Sequence, residues 1–448
     1  MSKAEREIAV NVLVEVTAEA AYSNLSLKRA LGRSEQLSAV QKAFVTELVN
    51  GSLRNLIYLD YCIGRVSSTP IKKMRPFILN TLRISAYQIL FLDRTPNSAA
   101  CNEAVNLVKL RGFGKLAGFV NAVLRAIARG EMALPEDPMQ SLSIKYSYPE
   151  WLINHFINEL GMDVTALMCE YSTSAPDVCA AVNTLRVDTD ELCAMLEAEG
   201  MSIQRSVYFG DVIHISRSSD LSHSAAFNDG LFQVMDESSV LAVRILSPQP
   251  GAKFLDVCAA PGGKSIYAAY LMRDKGNMIA CDIHDHKLEL ITRNTERLGI
   301  RSIATELCDA TEYVPKFNGS ADFVLLDAPC SGLGLLRKKP DIKYTKTPEY
   351  ISALARLQRD MLENCSRYVK PGGTFVYSTC TIAKAENQDN IRWFSENFPF
   401  EPQDISKFLP PGMECSTSKE GYIQIVPGQL PMDGFFIARF KKHTTIMV

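Results

Sequence analysis

No apolar stretch in this chain approaches the roughly 20 residues that a membrane-spanning helix needs. The opening MSKAEREIAVNVL carries acids where a secretory signal would need a basic patch and an apolar run, so a cytoplasmic protein with no membrane partner is expected. The twelve cysteines are scattered singly, without one CxxC pair, which argues against a disulfide framework or a zinc knuckle and leaves reduced thiols. The first strand-to-helix turn lacks GxGxxG, and GxxxxGK[ST] does not occur, so NAD and ATP lose their usual phosphate cradles. Internal repeats and low-complexity tracts are missing as well.

What remains is a globular composition, 47% apolar and 22% charged over 448 residues, too long for one continuous core. The net charge of -2 conceals an asymmetry: up to residue 130 Lys and Arg outnumber Asp and Glu roughly two to one, which suits a polyanionic partner. Residues 1–132 show helical spacing, with Ile8, Val12 and Val16 on one face and the same pattern from Leu48 to Leu59. Pro70, Pro76 and Pro96 fall at expected helix boundaries, and NSAACNEAVNLVKL opens with an Asn/Ser cap signal. Lys72, Lys73, Arg75, Arg83, Lys109, Arg111 and Lys115 are the candidate RNA contacts of this all-α bundle, RGFGK adding an aromatic between cations. Residues 133–150, rich in proline, are expected to be a linker, and 151–235 a small α+β subdomain.

From 236 to 448 strands and helices alternate: KFLDVC, GNMIACD, IATELCD, DFVLLDAP and GTFVYSTC are strands, with helices from Lys264, Asp285, Pro348 and Ala385. That alternation predicts a parallel, doubly wound sheet, with at least one of the last two strands antiparallel near its edge. The first turn, DVCAAPGGKS, places Gly262 and Gly263 where a ligand approaches the backbone. Asp282, Asp309 and Asp327 close successive strands; three acids repel a pyrophosphate and tolerate a cationic adenosine sulfonium, S-adenosylmethionine. In LLDAPCSGLG a thiol, Cys330, stands where a buried strand opens into a loop, and spacing alone leaves it as filler, nucleophile or assistant.

DVCAAPGGKS, DAPCSG, RKKPDIKY, LQRDMLENCSRYVKPGG and VYSTCT with AENQ, taken in order, resemble the RNA 5-cytosine methyltransferases of the NOL/NOP/Sun group; FVNAVLR and the helical front are similar to NusB. The resemblance covers nearly the whole chain. It implies a NusB-like bundle, a small α+β subdomain and a Rossmann-like methyltransferase domain acting as a monomer on small-subunit ribosomal RNA. It also implies that S-adenosylmethionine is bound by Cys258, Ala259, Ala260, Pro261, Gly262, Gly263 and Lys264 with Asp282, Asp309 and Asp327. Cys380 is implied as nucleophile and Cys330 as the thiol that helps release. One departure is local: the family's Gln-Asp reads Val-Met-Asp at 234–236, leaving Asp236 usable but the glutamine contact in doubt.

The chemistry explains two thiols. Cytosine C5 is too weakly nucleophilic to take a methyl group until a thiolate adds at C6, and covalent catalysis divides that hard step. Lys264 lowers a thiol pKa if its ammonium points inward and is otherwise a solvated helix-start lysine. Asp327 is the candidate to hold a proton at N3, a role that needs a raised pKa. Cys258, Cys281 and Cys308 read as small packing residues, and His284 and His286 as exposed helix-start residues. Competing classes are a non-enzymatic RNA-binding or antitermination factor with a vestigial nucleotide fold, and a thiol-dependent NAD oxidoreductase, which lacks its glycines.

Overall fold

The computed structural model describes residues 3–19, 21–93, 95–130, 132–174, 176–216 and 221–444, so the outer ends of the first and last expected domains lie outside the described residues. The chain forms two compact units, Met1–Ala175 with Leu336–Thr345, and Pro176–Leu335 with Lys346–Val448.

Unit 1 is helical. Seven helices, Lys3–Ala18, Ser23–Gly32, Ala39–Arg54, Leu56–Val66, Pro76–Phe91, Asn97–Leu110 and Ala117–Ile127, enclose a core that includes Val12, Leu48, Leu53, Leu59, Leu82 and Val120. The apolar spacing from Leu48 to Leu59 is not one helix. Asn55 ends the first, its side-chain amide donating to the Gly51 carbonyl at 2.9 Å, and Leu56 restarts in phase on the same core. Pro96, not Asn97, is the N-cap of the Asn97 helix, and no side chain caps it.

The expected linker is partly helical: Asp137 accepts the Gln140 amide at 2.8 Å and Pro138 takes the first helical position of Pro138–Tyr146. Glu150–Leu160 and Met162–Tyr171 complete the unit. The RKKPDIKY segment, which by sequence belongs with the sheet, packs here instead. Lys343 is buried, donating to the carbonyls of Arg54 (2.9 Å) and Tyr146 (3.1 Å), with its ammonium 4.6 Å from the Tyr148 ring centre. Burial pushes it down to about 7.

Unit 2 holds two sheets. In the smaller, β1 (Val178–Val182), β2 (Ile203–Arg205), β3 (Val212–Ile215) and β4 (Phe232–Val234) run antiparallel in the order β2-β3-β1-β4. The larger contains β5 (Lys253–Asp256), β6 (Asn277–Asp282), β7 (Ile303–Leu307), β8 (Ala321–Asp327), β9 (Val369–Thr379), β10 (Phe400–Pro402), β11 (Tyr422–Ile425) and β12 (Phe435–Lys442). Its order is β10-β12-β9-β8-β5-β6-β7, with β11 beside β12. Strands β5 to β9 are parallel, while β12 runs antiparallel to β9, β10 and β11, so of the two tail strands β12 opposes the parallel set and β11, paired only to β12, runs with it.

The strands between β6 and β9 are apolar on both faces because helices cover both. Leu255, Val324, Leu326, Phe375 and Tyr377 form one core with Cys281, Cys308 and Cys365, confirming the packing role expected for the first two of these cysteines. The order reverses between β5 and β8: β6 and β7 follow on one side, β9 on the other. At such a point the two loops leaving the carboxyl ends diverge and open a crevice. The Arg297 guanidinium ties the small sheet to the large one, donating to the carbonyls of Phe227 (2.5 Å) and Phe232 (3.2 Å) from the helix Asp285–Leu298.

Candidate active site

Beside the β5/β8 reversal the structure brings together four of the expected residues, Lys264, Asp327, Cys330 and Cys380. Asp327 ends β8 opposite Ser378 of β9. Its Oδ1 accepts the Ser378 hydroxyl at 2.7 Å and its Oδ2 the Lys264 ammonium at 2.6 Å, a contact between residues 63 apart in sequence. Lys264 is therefore not a solvated helix-start lysine. Its side chain is 14% exposed, lies 5.3 Å from the Phe435 ring centre, and is close enough to Cys380 for the sulfur to act on it electrostatically. Burial lowers its proton affinity, but Asp327 and Asp256 together outweigh this and raise it.

The two thiols meet here. Cys330 follows β8 and Cys380 follows β9, and their sulfurs are 3.1 Å apart, each half-buried. The hydrogen bond to Cys380 is the largest cause holding Cys330 well above the ordinary thiol range, and burial adds to it. Gly334 fixes the other side: its N–H donates to the Cys380 carbonyl at 3.1 Å and its carbonyl accepts from Gly434 at 2.9 Å. A Cβ at position 334 would come within 2.1 Å of the Gly434 oxygen, so glycine is required by this close approach.

A carboxyl that burial raises is Asp256, at the end of β5, which the sequence reading passed over. It is fully buried and pushed up to about 7, chiefly by burial and further by Asp327, against the pull of Ser265 and Lys264. Its Oδ2 accepts the Ser265 hydroxyl at 2.6 Å and its Oδ1 has no partner among the described residues. Asp327, for which the sequence argument wanted a raised pKa, is instead the partner of an ammonium. An acid whose folded pKa exceeds its unfolded value contributes stability below the unfolded pKa, near 4, and loses it as pH rises towards 7. Asp256→Asn removes that titration while keeping an acceptor for Ser265. The stability of the variant relative to wild type is expected to rise by about 3 kcal/mol between about pH 5 and about pH 8, read by chemical denaturation; a pH-independent difference would contradict the assignment.

The turn after β5 packs Gly262 against the helix Asp285–Leu298 and leaves Gly263 half-buried. Gly262 has φ +101°, and a Cβ there would lie 3.1 Å from Ile291. Behind it the helix Gly263–Leu271 begins with unpaired N–H groups. Gln233, on β4, donates to the Gly263 carbonyl at 3.2 Å, so a glutamine does reach this loop, from a position one residue before the Val-Met-Asp departure. Asp282, ending β6, accepts from the His284 N–H (3.1 Å) and lies 3.5 Å from the Lys287 ammonium. The adjoining Ile283 is 53% exposed, an apolar face beside the acid. Asp309 lies just past β7, with Oδ1 accepting from the Thr311 N–H and hydroxyl at 2.8 and 2.7 Å. His284 and His286 are exposed, as read from the sequence, and stacked on each other.

In unit 1 the basic residues divide. Arg83 is buried and clamps Asp60 through two bonds of 2.7 and 2.6 Å, which withdraws it from any RNA contact. Lys72, Lys73, Arg75, Lys109, Arg111 and Lys115 are exposed. Phe113 is not a free stacking platform: it stacks on Phe77 at 5.9 Å, with Arg75 over Phe113 and Arg111 over Phe77, which brings the 71–75 turn beside the 111–115 loop as one basic face.

Residues 243–441 match the family described as 16S rRNA methyltransferase RsmB/F, residues 3–129 the NusB family, and residues 148–222 the RsmF/B-like ferredoxin-like domain. The probable ribosomal RNA small subunit methyltransferase B of Bacillus subtilis is 38% identical over 443 residues, with 98% of each chain covered. The chain belongs to this family. Ribosomal RNA small subunit methyltransferase B of Proteus mirabilis is 30% identical over 440 residues, again with 98% of each covered. The crystal structure of PH0851 matches 98% of this chain and 99% of that one, with 27% identity and a TM-score of 0.82. Family membership bears out the architecture expected from sequence, a NusB helical domain, a ferredoxin-like subdomain and a methyltransferase domain. Among the described residues no helix is long and apolar enough to cross a membrane.

Proposed function

We propose that this chain methylates C5 of a cytosine in small-subunit ribosomal RNA through a transient bond from Cys380 to C6. The observation that carries the reading is the pair of sulfurs 3.1 Å apart beside the Lys264–Asp327 ion pair. S-adenosylmethionine, when bound, supplies an electrophilic methyl group. Its site fits this chain: the helix after the 258–263 turn opens with a glycine that has space for a ligand, Gly263, Asp282 stands at the strand end that can hold ribose hydroxyls, and Ile283 offers an apolar face to a flat base.

Cys380 is read as the attacking sulfur because that is the role the resemblance of its STC stretch implies, and a Cys330 held up by its bond to Cys380 and by burial suits the helper thiol. Addition at C6 puts negative charge on the ring; the Lys264 ammonium is the group beside Asp327 that can give N3 a proton, and the Asp327 carboxylate then accepts the N3–H. C5 then takes the methyl group. Once Cys380 is bonded to C6 its bond to Cys330 no longer holds that thiol up, so Cys330 can ionise to solvent. Its thiolate takes the C5 proton as the C6–S bond breaks, releasing Cys380 as thiolate and restoring the aromatic ring. The target base has to leave any duplex to reach a crevice of this kind.

Transfer of labelled methyl from the donor to naked or partly assembled small-subunit RNA tests the proposal. Label recovered as 5-methylcytosine is expected; no label, or another modified base, overturns it. The exposed basic face is proposed to grip the RNA backbone. Lys72, Lys73 and Lys115 replaced together by alanine are expected to weaken RNA binding and reduce the slope of log affinity against log salt by about 2; an unchanged slope would remove the face from the interface.

A further inference from the structure

Glu386 is fully buried. A carboxylate there is costly unless donors converge on it, and three do. The Ser331 N–H donates to Oε2 at 2.9 Å, the Ser331 hydroxyl to Oε1, and the Gln358 amide to Oε2 at 2.9 Å. The same Gln358 nitrogen donates to the Pro329 carbonyl at 2.9 Å. Pro329 and Ser331 are the two neighbours of Cys330, so both flanks of that thiol are fixed through the Glu386–Gln358 pair. Glu386 itself sits on the loop that follows Cys380. That loop is secured by the Tyr377 hydroxyl on the Glu386 carbonyl (2.7 Å), by the Thr381 hydroxyl 2.8 Å from that of Ser331, and by Asn390 on the Gln358 oxygen (2.9 Å).

We propose that Glu386 is a positioning residue that joins the Cys330 loop to the Cys380 loop and holds the releasing thiol against the covalent adduct. The inference rests on the covalent reading above. Glu386 acts chiefly through Ser331 and Gln358, and its charge also helps to hold the Cys330 thiol up. The two partners of Oε2, the Ser331 N–H and the Gln358 amide, can only donate; glutamine has nearly the same shape but keeps an oxygen there only by turning its NH₂ group on the Ser331 hydroxyl, which must then accept instead of donate.

The experiment follows one full turnover and then the steady state on small-subunit RNA with labelled donor, and measures RNA–protein adduct on denaturing gels. Glu386→Gln is expected to keep the first methyl transfer, lose about 10- to 100-fold in steady-state rate, and accumulate adduct that wild type does not. Ser331→Ala, which keeps the backbone N–H, is expected to move the same way by a smaller factor, and it decides the matter if Glu386→Gln does not fold. Equal loss of first turnover and steady state, or unchanged turnover without adduct, overturns the inference. Wild type that transfers no methyl and forms no adduct overturns the covalent reading itself, a separate result.

Discussion

Cys380→Ala is expected to abolish methylation, by at least about 10³-fold, and to leave no covalent protein–RNA complex at any time point. The size follows from what the thiol does: without addition at C6 the ring carbon at C5 has no means to accept a methyl group. Neighbouring groups that bind and orient, such as Lys264 and Asp327, do not substitute for a bond. Donor binding is expected to persist, because the loop at 258–264 and Asp282 are carried by other strands. Filter retention of labelled RNA under denaturing conditions reads the adduct, and label incorporation reads the rate. An alanine variant that methylates at the wild-type rate would exclude Cys380 as the nucleophile.

Cys330→Ala is expected to do something different. The first addition and methyl transfer proceed, the C5 proton is not removed, and the enzyme stops as a covalent complex. Multiple-turnover rate falls by about 10²-fold or more, the usual worth of a positioned proton-transfer group, while adduct rises towards one RNA per enzyme. The two sulfurs are 3.1 Å apart and both half-buried, so their roles are assigned by the strand ends they follow, β8 for Cys330 and β9 for Cys380. Cys330 is the one held up by its partner and by burial, a poor attacker and a better proton acceptor once ionised. Adduct in Cys380→Ala and none in Cys330→Ala would exchange their roles.

The strands that carry the site were legible because each apolar run stops at a polar residue: FLD at Asp256, ACD at Asp282, LLD at Asp327 and YSTC at Cys380. Their lateral order was not. Nothing in the sequence says that β8 inserts beside β5, and that insertion alone brings Lys264 to Asp327. Asp256 carries no mark in the sequence that sets it apart from the other strand-end acids; its place on β5, between β6 and β8, comes from the sheet order. Glu386 stood inside a quoted motif, AENQ, but its partners Ser331 and Gln358 are 55 and 28 residues away.

The helical front shows the same limit. The 3.6-residue period found its buried face, but continued unbroken across Asn55 because the next helix starts in phase. Charge alone counted Arg83 with the RNA-facing cations, although pairing with Asp60 takes it into the interior. The RKKPDIKY segment was read by position in the chain, while its lysine has partners 289 and 197 residues away in unit 1.

The most direct test uses RNA carrying 5-fluorocytosine at the target base, where loss of fluorine in place of the C5 proton cannot occur and any adduct is trapped after methyl transfer. Mass spectrometry of the digested wild-type complex is predicted to find the methylated pyrimidine on the peptide containing Cys380. A trapped base on the Cys330 peptide, or methylated RNA released with no trapped complex, would contradict the account.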